Sequence, residues 1–235
     1  MSAPKRIREI IGLLGHQGVG KNYIAEKILP EILIKSRNTV VLAFADHLKI
    51  ECISKLGADF DKVYGEKDYE TRKLLQITGT EEGRDKYGKD IWIKTLENWI
   101  KVLNSRGVER FIISDVRFAN EAEWVKSMGG TVIKISSPQR YQTRLMKESS
   151  KGGNSGKSLE QRMKELMEHP SEKEIDTVKT FDFEIKNDPG DNPREELAKK
   201  MLKFHPFPCG LSEQKFMLRG IKRRESYIKS LKVVN

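Results

Sequence analysis

Gly15-His16-Gln17-Gly18-Val19-Gly20-Lys21-Asn22 carries the Gly-x4-Gly-Lys spacing of a loop that wraps phosphate. The run before it, Ile10-Ile11-Gly12-Leu13-Leu14, has the character of a buried strand. The run after it, Tyr23-Ile24-Ala25-Glu26-Lys27-Ile28-Leu29, has the apolar spacing of a helix. Strand, glycine loop and helix in that order are what such a loop requires. Glycines let the backbone aim its N–H groups at phosphate oxygens. The helix N-terminus adds positive potential, and the lysine reaches the outer phosphates. Gly15, Gln17, Gly18, Val19, Gly20, Lys21 and Asn22 are therefore the expected nucleotide-binding residues, with Lys21 also catalytic. Asn22 stands where the strict pattern has Ser or Thr on Mg²⁺. Its carboxamide oxygen is the expected metal contact, directly or through a bound water. The competing reading is a chance glycine turn between strand and helix.

At 235 residues the chain suits one α/β domain with an appendage. No apolar stretch approaches the roughly 20 residues needed to span a bilayer. The first apolar run is too short for a secretory signal and passes straight into the glycine loop. Cys52 and Cys209 give no disulfide framework or metal cluster, so an intracellular, cytoplasmic protein without membrane contact is expected. The net charge of +10 raises nucleic acid as a partner. Half of that excess lies in residues 204–235, where seven Lys/Arg face Glu213 and Glu225. The remainder is ordinary for a protein whose ligands are polyphosphates.

Five β-like runs follow one another, at 7–14, 38–45, 109–115, 130–136 and 181–186, most of them continuously apolar rather than alternating. That favours strands buried on both faces of a parallel sheet. Helical spacing occupies 21–34, 46–57, 69–78, 89–105 and 118–128. The expected fold is α/β, a doubly wound five-stranded parallel sheet with ligands at the carboxyl ends of its strands. Residues 149–158 form a Gly/Ser/Lys stretch flanked by charged helical segments carrying Arg140, Arg144 and Arg162. A lid over the phosphates and a plain surface loop are the two readings of that excursion.

Four further segments carry polar chemistry. Phe44-Ala45-Asp46-His47-Leu48-Lys49 ends the second strand; Asp46 reads as a site residue or as a helix N-cap. Arg72 and Gln76 share one helix face, and Gly79-Thr80 ends that helix in a polar turn before Arg84. Arginine's fork suits phosphate, and the amide of glutamine suits a base edge. Asp115 and Arg117 lie just past a buried strand, where Asp115 suits a Mg²⁺-bound water or the arginine itself, or a capping role. His169-Pro170-Ser171-Glu172 reads as a helix start with Ser171 as N-cap.

Together these segments resemble the deoxynucleoside monophosphate kinases of phages and large DNA viruses, related to phosphomevalonate kinases within the P-loop kinase group. The shared pieces are the loop at 15–21, Phe44-Ala45-Asp46 with Lys49, Arg72-x3-Gln76-x2-Gly79-Thr80 and Trp92. They continue with Asp115-Val116-Arg117, Met128 to Ile133, His169-x-Ser171-Glu172 and Ile185-x-Asn187-Asp188. In order, they span about residues 8–202. The resemblance implies a P-loop kinase domain over 1–203, with a lid at about 137–172 and a basic extension at 204–235. It implies phosphoryl transfer from MgATP to a deoxynucleoside monophosphate. Asp46, Lys49, Arg72, Gln76, Gly79, Thr80, Arg84, Trp92, Asp115 and Arg117 would then form the acceptor pocket. Asp115 would lie between donor and acceptor, Arg140 and Arg144 would neutralise the transferring phosphoryl, and Asn187 would sit near the donor base. The resemblance also makes a homodimer reasonable.

From 213 to 232 the tail regains helical spacing, with Phe216, Leu218, Ile221, Tyr227, Ile228 and Leu231 among basic residues. Packing against the core or a second subunit is the favoured role, with nucleic-acid contact second. Three rivals to the nucleotide kinase remain. One is a kinase of phosphomevalonate or dephospho-coenzyme A. Another is a nucleic-acid-linked ATPase, against which stands the absence of an apolar run ending in adjacent acidic residues. The third is a nucleotide-regulated interaction protein that has lost turnover.

Overall fold

A computed structural model describes residues 7–33, 38–151 and 156–204. The centre of the Gly/Ser stretch (152–155), Cys209 and the amphipathic tail lie outside the described residues. The chain divides into two compact units, Met1–Asp191 and Asn192–Asn235. In the second, the helix Pro193–Phe204 is described, and its Leu197, Ala198 and Met201 are buried.

The first unit is built on five parallel strands in the order β2-β3-β1-β4-β5, with β1 Glu9–Leu14, β2 Thr39–Leu42, β3 Arg110–Val116, β4 Thr131–Ser136 and β5 Phe183–Lys186. Each expected run forms a strand, with its ends shifted by up to three residues. Strand β1 is central and fully covered from Ile10 to Leu14, as its unbroken apolar run requires. The chain leaves β1 toward β2 and β3, then crosses to β4 and β5. The carboxyl end of β1 is therefore the point where strand order reverses, the usual place for a ligand in such sheets.

The helix after the glycine loop runs from Lys21 to Ile32 as α1 (Lys21–Tyr23), a π-helical turn (Ile24–Ile28) and α2 (Leu29–Ile32). Next come α3 (Ala45–Leu56), α4 (Phe60–Tyr64), α5 (Tyr69–Gly79), α6 (Ile91–Ser105) and α7 (Ala119–Ser127). Leu48 and Cys52 of α3, Ile93 and Leu96 of α6 and Val125 of α7 join Phe111 and Ile113 of the sheet in one core. The charged segments around the Gly/Ser stretch are α8 (Pro138–Ser150) and α9 (Leu159–Glu168), followed by α10 (Pro170–Lys173). Tyr69, Leu145 and Leu166 bury one another and tie α8 and α9 to α5.

Two capping expectations are corrected. Helix α3 begins at Ala45 with Phe44 at its N-cap, so Asp46 sits inside the first turn. Its carboxylate reaches back to the Ala43 N–H (2.9 Å) and accepts from Lys49 Nζ (3.0 Å). Helix α10 is capped by His169, not Ser171. The His169 Nδ1 accepts the Ser171 N–H, and Pro170 takes the first helical position, where its missing N–H costs nothing.

Candidate active site

A cavity of about 410 Å³ lies at the carboxyl end of the sheet. Its floor is the glycine loop. Gly18 has φ +74, and a Cβ there would lie 2.5 Å from the Arg144 Cβ. Gly20 has φ +92, and a Cβ there would strike the Asn187 amide. Only glycine serves at these two turns. Lys21 is buried, and its Nζ donates to the carbonyls of Gly15 (2.5 Å) and His16 (2.6 Å). Burial, with the Arg117 guanidinium nearby, brings this ammonium down to about 7. Gln17, Gly18, Gly20, Lys21 and Asn22 line the cavity, whereas Gly15 and Val19 frame the loop from behind.

Above the loop stands a wall of cations. Seven cationic side chains line the cavity, Lys21, Lys49, Lys67, Arg72, Arg84, Arg117 and Arg144, against the two carboxylates of Asp115 and Glu121. Such a surplus suits a ligand carrying several phosphate charges.

Carboxylates behind the wall aim its arginines. Glu148 of α8 is fully buried and accepts from Arg72 Nε (3.1 Å) and Nη2 (2.9 Å), and from Arg144 Nε (2.8 Å). Glu172 of α10 is equally buried. One of its oxygens pairs with Arg117, and the other accepts from His16 Nδ1 (3.0 Å) and the Gln17 N–H (3.3 Å). Burial would raise the Glu172 carboxyl, but the Arg117 guanidinium and the His16 hydrogen bond hold it down at about 2. His16 stacks on Tyr141 of α8 with ring centroids 4.6 Å apart and also bonds Asp176. Burial opposes its protonation, but its bonds to Glu172 and Asp176 carry its pKa above the ordinary value. Arg84 lies over the Phe118 ring at 3.6 Å and reaches Asn120 and Glu121. Burial pushes the Glu121 carboxyl up to about 7.

Register explains how Asp115 is placed. The β1–β3 pairing slips between Gly12 and Leu14, so Ser114 and Asp115 together face Leu13. A bulge of this kind re-aims side chains at a strand end. The Asp115 oxygens accept the N–H groups of Phe44 (2.7 Å) and Ala45 (3.0 Å). The carboxylate thus fixes the start of α3, and burial pushes its pKa up. Trp92 acts similarly: its indole N–H donates to the Gly79 carbonyl (2.8 Å), and its ring closes over Gly83.

Of the expected site residues, Gln17, Gly18, Gly20, Lys21, Asn22, Lys49, Arg72, Gln76, Gly79, Thr80, Arg84, Trp92, Asp115, Arg117 and Arg144 converge on this cavity. Asp46 does not; it braces the α3 turn. Asn187 is not placed as expected, because its Nδ2 donates to the Val19 carbonyl (2.8 Å) and supports the loop from beneath. Arg140 likewise turns away, with its Nε on the Asn187 carbonyl (2.6 Å).

Residues 13–131, just over half of the chain, match the model of the phosphomevalonate kinase family. The chain belongs to that family. A relative of this kinase in Acanthamoeba polyphaga mimivirus, provisionally named a deoxynucleotide monophosphate kinase, is 27% identical over 197 residues, covering 76% of this chain and 88% of the relative. The resemblance read from the motifs is thus borne out. Among solved structures, a shikimate kinase from Bacteroides thetaiotaomicron is 10% identical, with a TM-score of 0.41, over 83% of this chain and 97% of that one. A Deinococcus radiodurans tunicamycin resistance protein is 14% identical, with a TM-score of 0.41, over 83% and 94%. Both likenesses are too loose to bear on the site.

Around this phosphomevalonate kinase-family cavity stand further groups that the motifs do not mark as site residues. Glu148 stands four residues after Arg144, a helical ion-pair spacing that was open to view. Glu172 belongs to the His169-x-Ser171-Glu172 piece, which reads as a helix start and a shared motif without marking this carboxylate as the partner of Arg117. Tyr64 at the end of α4 and Lys67 of the α4–α5 connection also line the cavity, a placement no local pattern announces. Burial, with Arg72 and Lys49 nearby, brings the Lys67 ammonium down to about 8.

Among the described residues no cluster of three or more His, Cys, Asp or Glu forms a metal cage, and no helix is long and apolar enough to cross a membrane. Of the oxygen-bearing side chains that line the cavity, Asn22 stands exposed beside Lys21, and Asp115 has both oxygens already hydrogen-bonded. That donor set fits Mg²⁺, which typically takes one or two protein oxygens and completes its shell with water and substrate phosphates.

Proposed function

We propose that this P-loop kinase transfers the γ-phosphoryl group of MgATP to a deoxynucleoside monophosphate, giving a deoxynucleoside diphosphate and ADP. One observation carries the reading. The phosphate loop and a wall of Arg72, Arg84, Arg117 and Arg144 line a single cavity, to which Phe44, Leu48, Leu75, Trp92 and Phe118 add apolar and aromatic surface. Cations suit two phosphate chains meeting end to end, and flat apolar walls suit a base.

The loop N–H groups and Lys21 would hold the donor phosphates, with Asn22 holding the metal through its carboxamide or a water. Mg²⁺, when bound, would neutralise charge on the bridging phosphate oxygens. Arg72, Arg84 and Arg117 would hold the acceptor phosphate in line with the donor. Arg144, brought over the loop by α8, would cancel charge on the transferring group. A monophosphate oxygen is already anionic, so alignment and charge cancellation suffice without a general base. Asp115 serves as a positioning residue through the start of α3.

Phosphomevalonate as acceptor is the second reading, favoured by the family match. MgATP offered with each common ribo- and deoxyribonucleoside monophosphate, with phosphomevalonate and with dephospho-coenzyme A, separates the two by chromatography of products. Diphosphate formed from at least one deoxynucleotide, faster than any reaction of the other two acceptors, is the expected result. Transfer to phosphomevalonate alone would replace the proposal.

A further inference from the structure

Of the seven cations lining the cavity, six lean on oxygens of the protein: the four arginines and Lys49 on carboxylates, Lys21 on carbonyls. Lys67 is the exception. Among the described residues its Nζ reaches only the Gly65 carbonyl, at 3.4 Å. The charges that act on it most are Arg72 of α5, Lys49 of α3, and Glu148 and Arg144 of α8. Lys49 is matched by Asp46, and Glu148 is already shared by Arg72 and Arg144. A half-buried ammonium in such company is disfavoured until an anion joins it.

The backbone that carries Lys67 is short and anchored at both ends. Gly65 closes α4 with its N–H on the Asp61 carbonyl (2.8 Å), and a Cβ there would lie 2.3 Å from that oxygen. Asp68 caps α5 by accepting the Thr71 N–H (2.8 Å). Only Glu66 and Lys67 lie between. Glu66 is exposed, and its carboxylate bridges Lys147 of α8 and Lys151 just past that helix, whereas Lys67 lines the cavity. Resting on the proposal that this wall holds the acceptor, we infer that Lys67 binds the acceptor's phosphate together with Arg72, and that Glu66, strapped to α8, keeps it turned inward. Lys67, Arg72 and Arg144 against Glu148 are three cations and one carboxylate. A phosphate monoester dianion balances that surplus, and a lone carboxylate does not.

Steady-state rates at saturating MgATP, with the monophosphate that the wild-type protein phosphorylates fastest, test both residues. Lys67→Met should raise the acceptor KM at least about tenfold, as for one lost charged hydrogen bond, with the KM for ATP unchanged. Lys67→Arg should restore acceptor binding. Because the wild-type ammonium is brought down to about 8, its acceptor KM should climb as pH passes 8. In Lys67→Arg, charged throughout, the acceptor KM should stay level over the same range. Glu66→Gln should raise the acceptor KM about threefold, in keeping with an exposed ion pair. In the Lys67→Met background it should add nothing, because Glu66 acts through Lys67. An acceptor KM unmoved by Lys67→Met would overturn the role of Lys67 while leaving the kinase assignment intact. A Glu66→Gln effect that persists without Lys67 would overturn the strap. Should phosphomevalonate be the acceptor, the same measurements apply to it, and only the nucleotide reading falls. Transfer to no phosphate monoester would overturn both.

Discussion

The two sides of the cavity are built in opposite ways. On the glycine-loop side, one contiguous stretch, residues 15–22, provides the backbone, the turns and the cation, and Lys21 rests on carbonyls of its own loop. On the arginine side, α3, α5, the end of β3 and α8 each lend side chains. The arginines there lean on carboxylates far away in the chain, Arg72 on Glu148 and Arg117 on Glu172. A loop that carries its own partners works wherever a strand and helix present it. A wall aimed by distant partners exists only once α8 and α10 have docked, so its geometry is a property of the whole sheet. Glu172 joins the two sides, because one oxygen holds Arg117 and the other holds His16 and the Gln17 N–H.

The comparison breaks most sharply at Lys21. Lys21→Met should lower turnover by about 10²–10³-fold, as expected for a lost charge-stabilising donor, with thermal stability at or above that of the parent. Circular dichroism and steady-state kinetics check both halves. Glu172→Ala should come next, because it strands Arg117 and frees the loop at once. A drop in unfolding free energy of about 3 kcal/mol, toward the lower end expected for a broken buried pair, should accompany higher KM values for both substrates. A change confined to one KM would mean that the two sides are uncoupled. Arg72→Ala should raise the acceptor KM by about tenfold and leave that of ATP alone, as fits the loss of one charged hydrogen bond.

Legibility from sequence follows the same division. The strands and the α1, α3, α5, α6 and α7 segments were readable because burial on both sheet faces leaves continuous apolar runs, and one-sided burial leaves helical spacing. The glycine loop was readable because its chemistry is local. Arg72, Gln76 and Arg117 could be marked as polar groups at the right ends of elements, but not the carboxylates that aim them. Asp46 and Asn187 show the limit. Each stands beside the site in sequence, yet each spends its side chain on backbone, Asp46 on Ala43 and Asn187 on Val19. Nothing in a motif distinguishes a residue that touches ligand from one that holds the loop that does. Arg140 and Arg144 lie four apart on α8, and only the fold shows that Arg144 faces the cavity while Arg140 turns to Asn187.

A smaller effect sharpens the glycine-loop side further. The Lys21 ammonium is brought down to about 7, so it is charged below that pH and largely neutral above it. Polyphosphate favours the charged form, so nucleotide binding at pH 8 should take up a proton, and affinity should weaken as pH rises beyond 7. Titration calorimetry in two buffers of different ionisation enthalpy measures that uptake, and Lys21→Met should abolish it.

The central claim is that loop and wall enclose one space in which two phosphate chains meet. A bisubstrate analogue joining adenosine to a deoxynucleoside through five phosphates probes that space directly. The account predicts inhibition competitive with both ATP and the deoxynucleoside monophosphate, with the analogue bound far more tightly than either substrate. Competition with ATP alone, at an affinity no better than that of ATP, would contradict it.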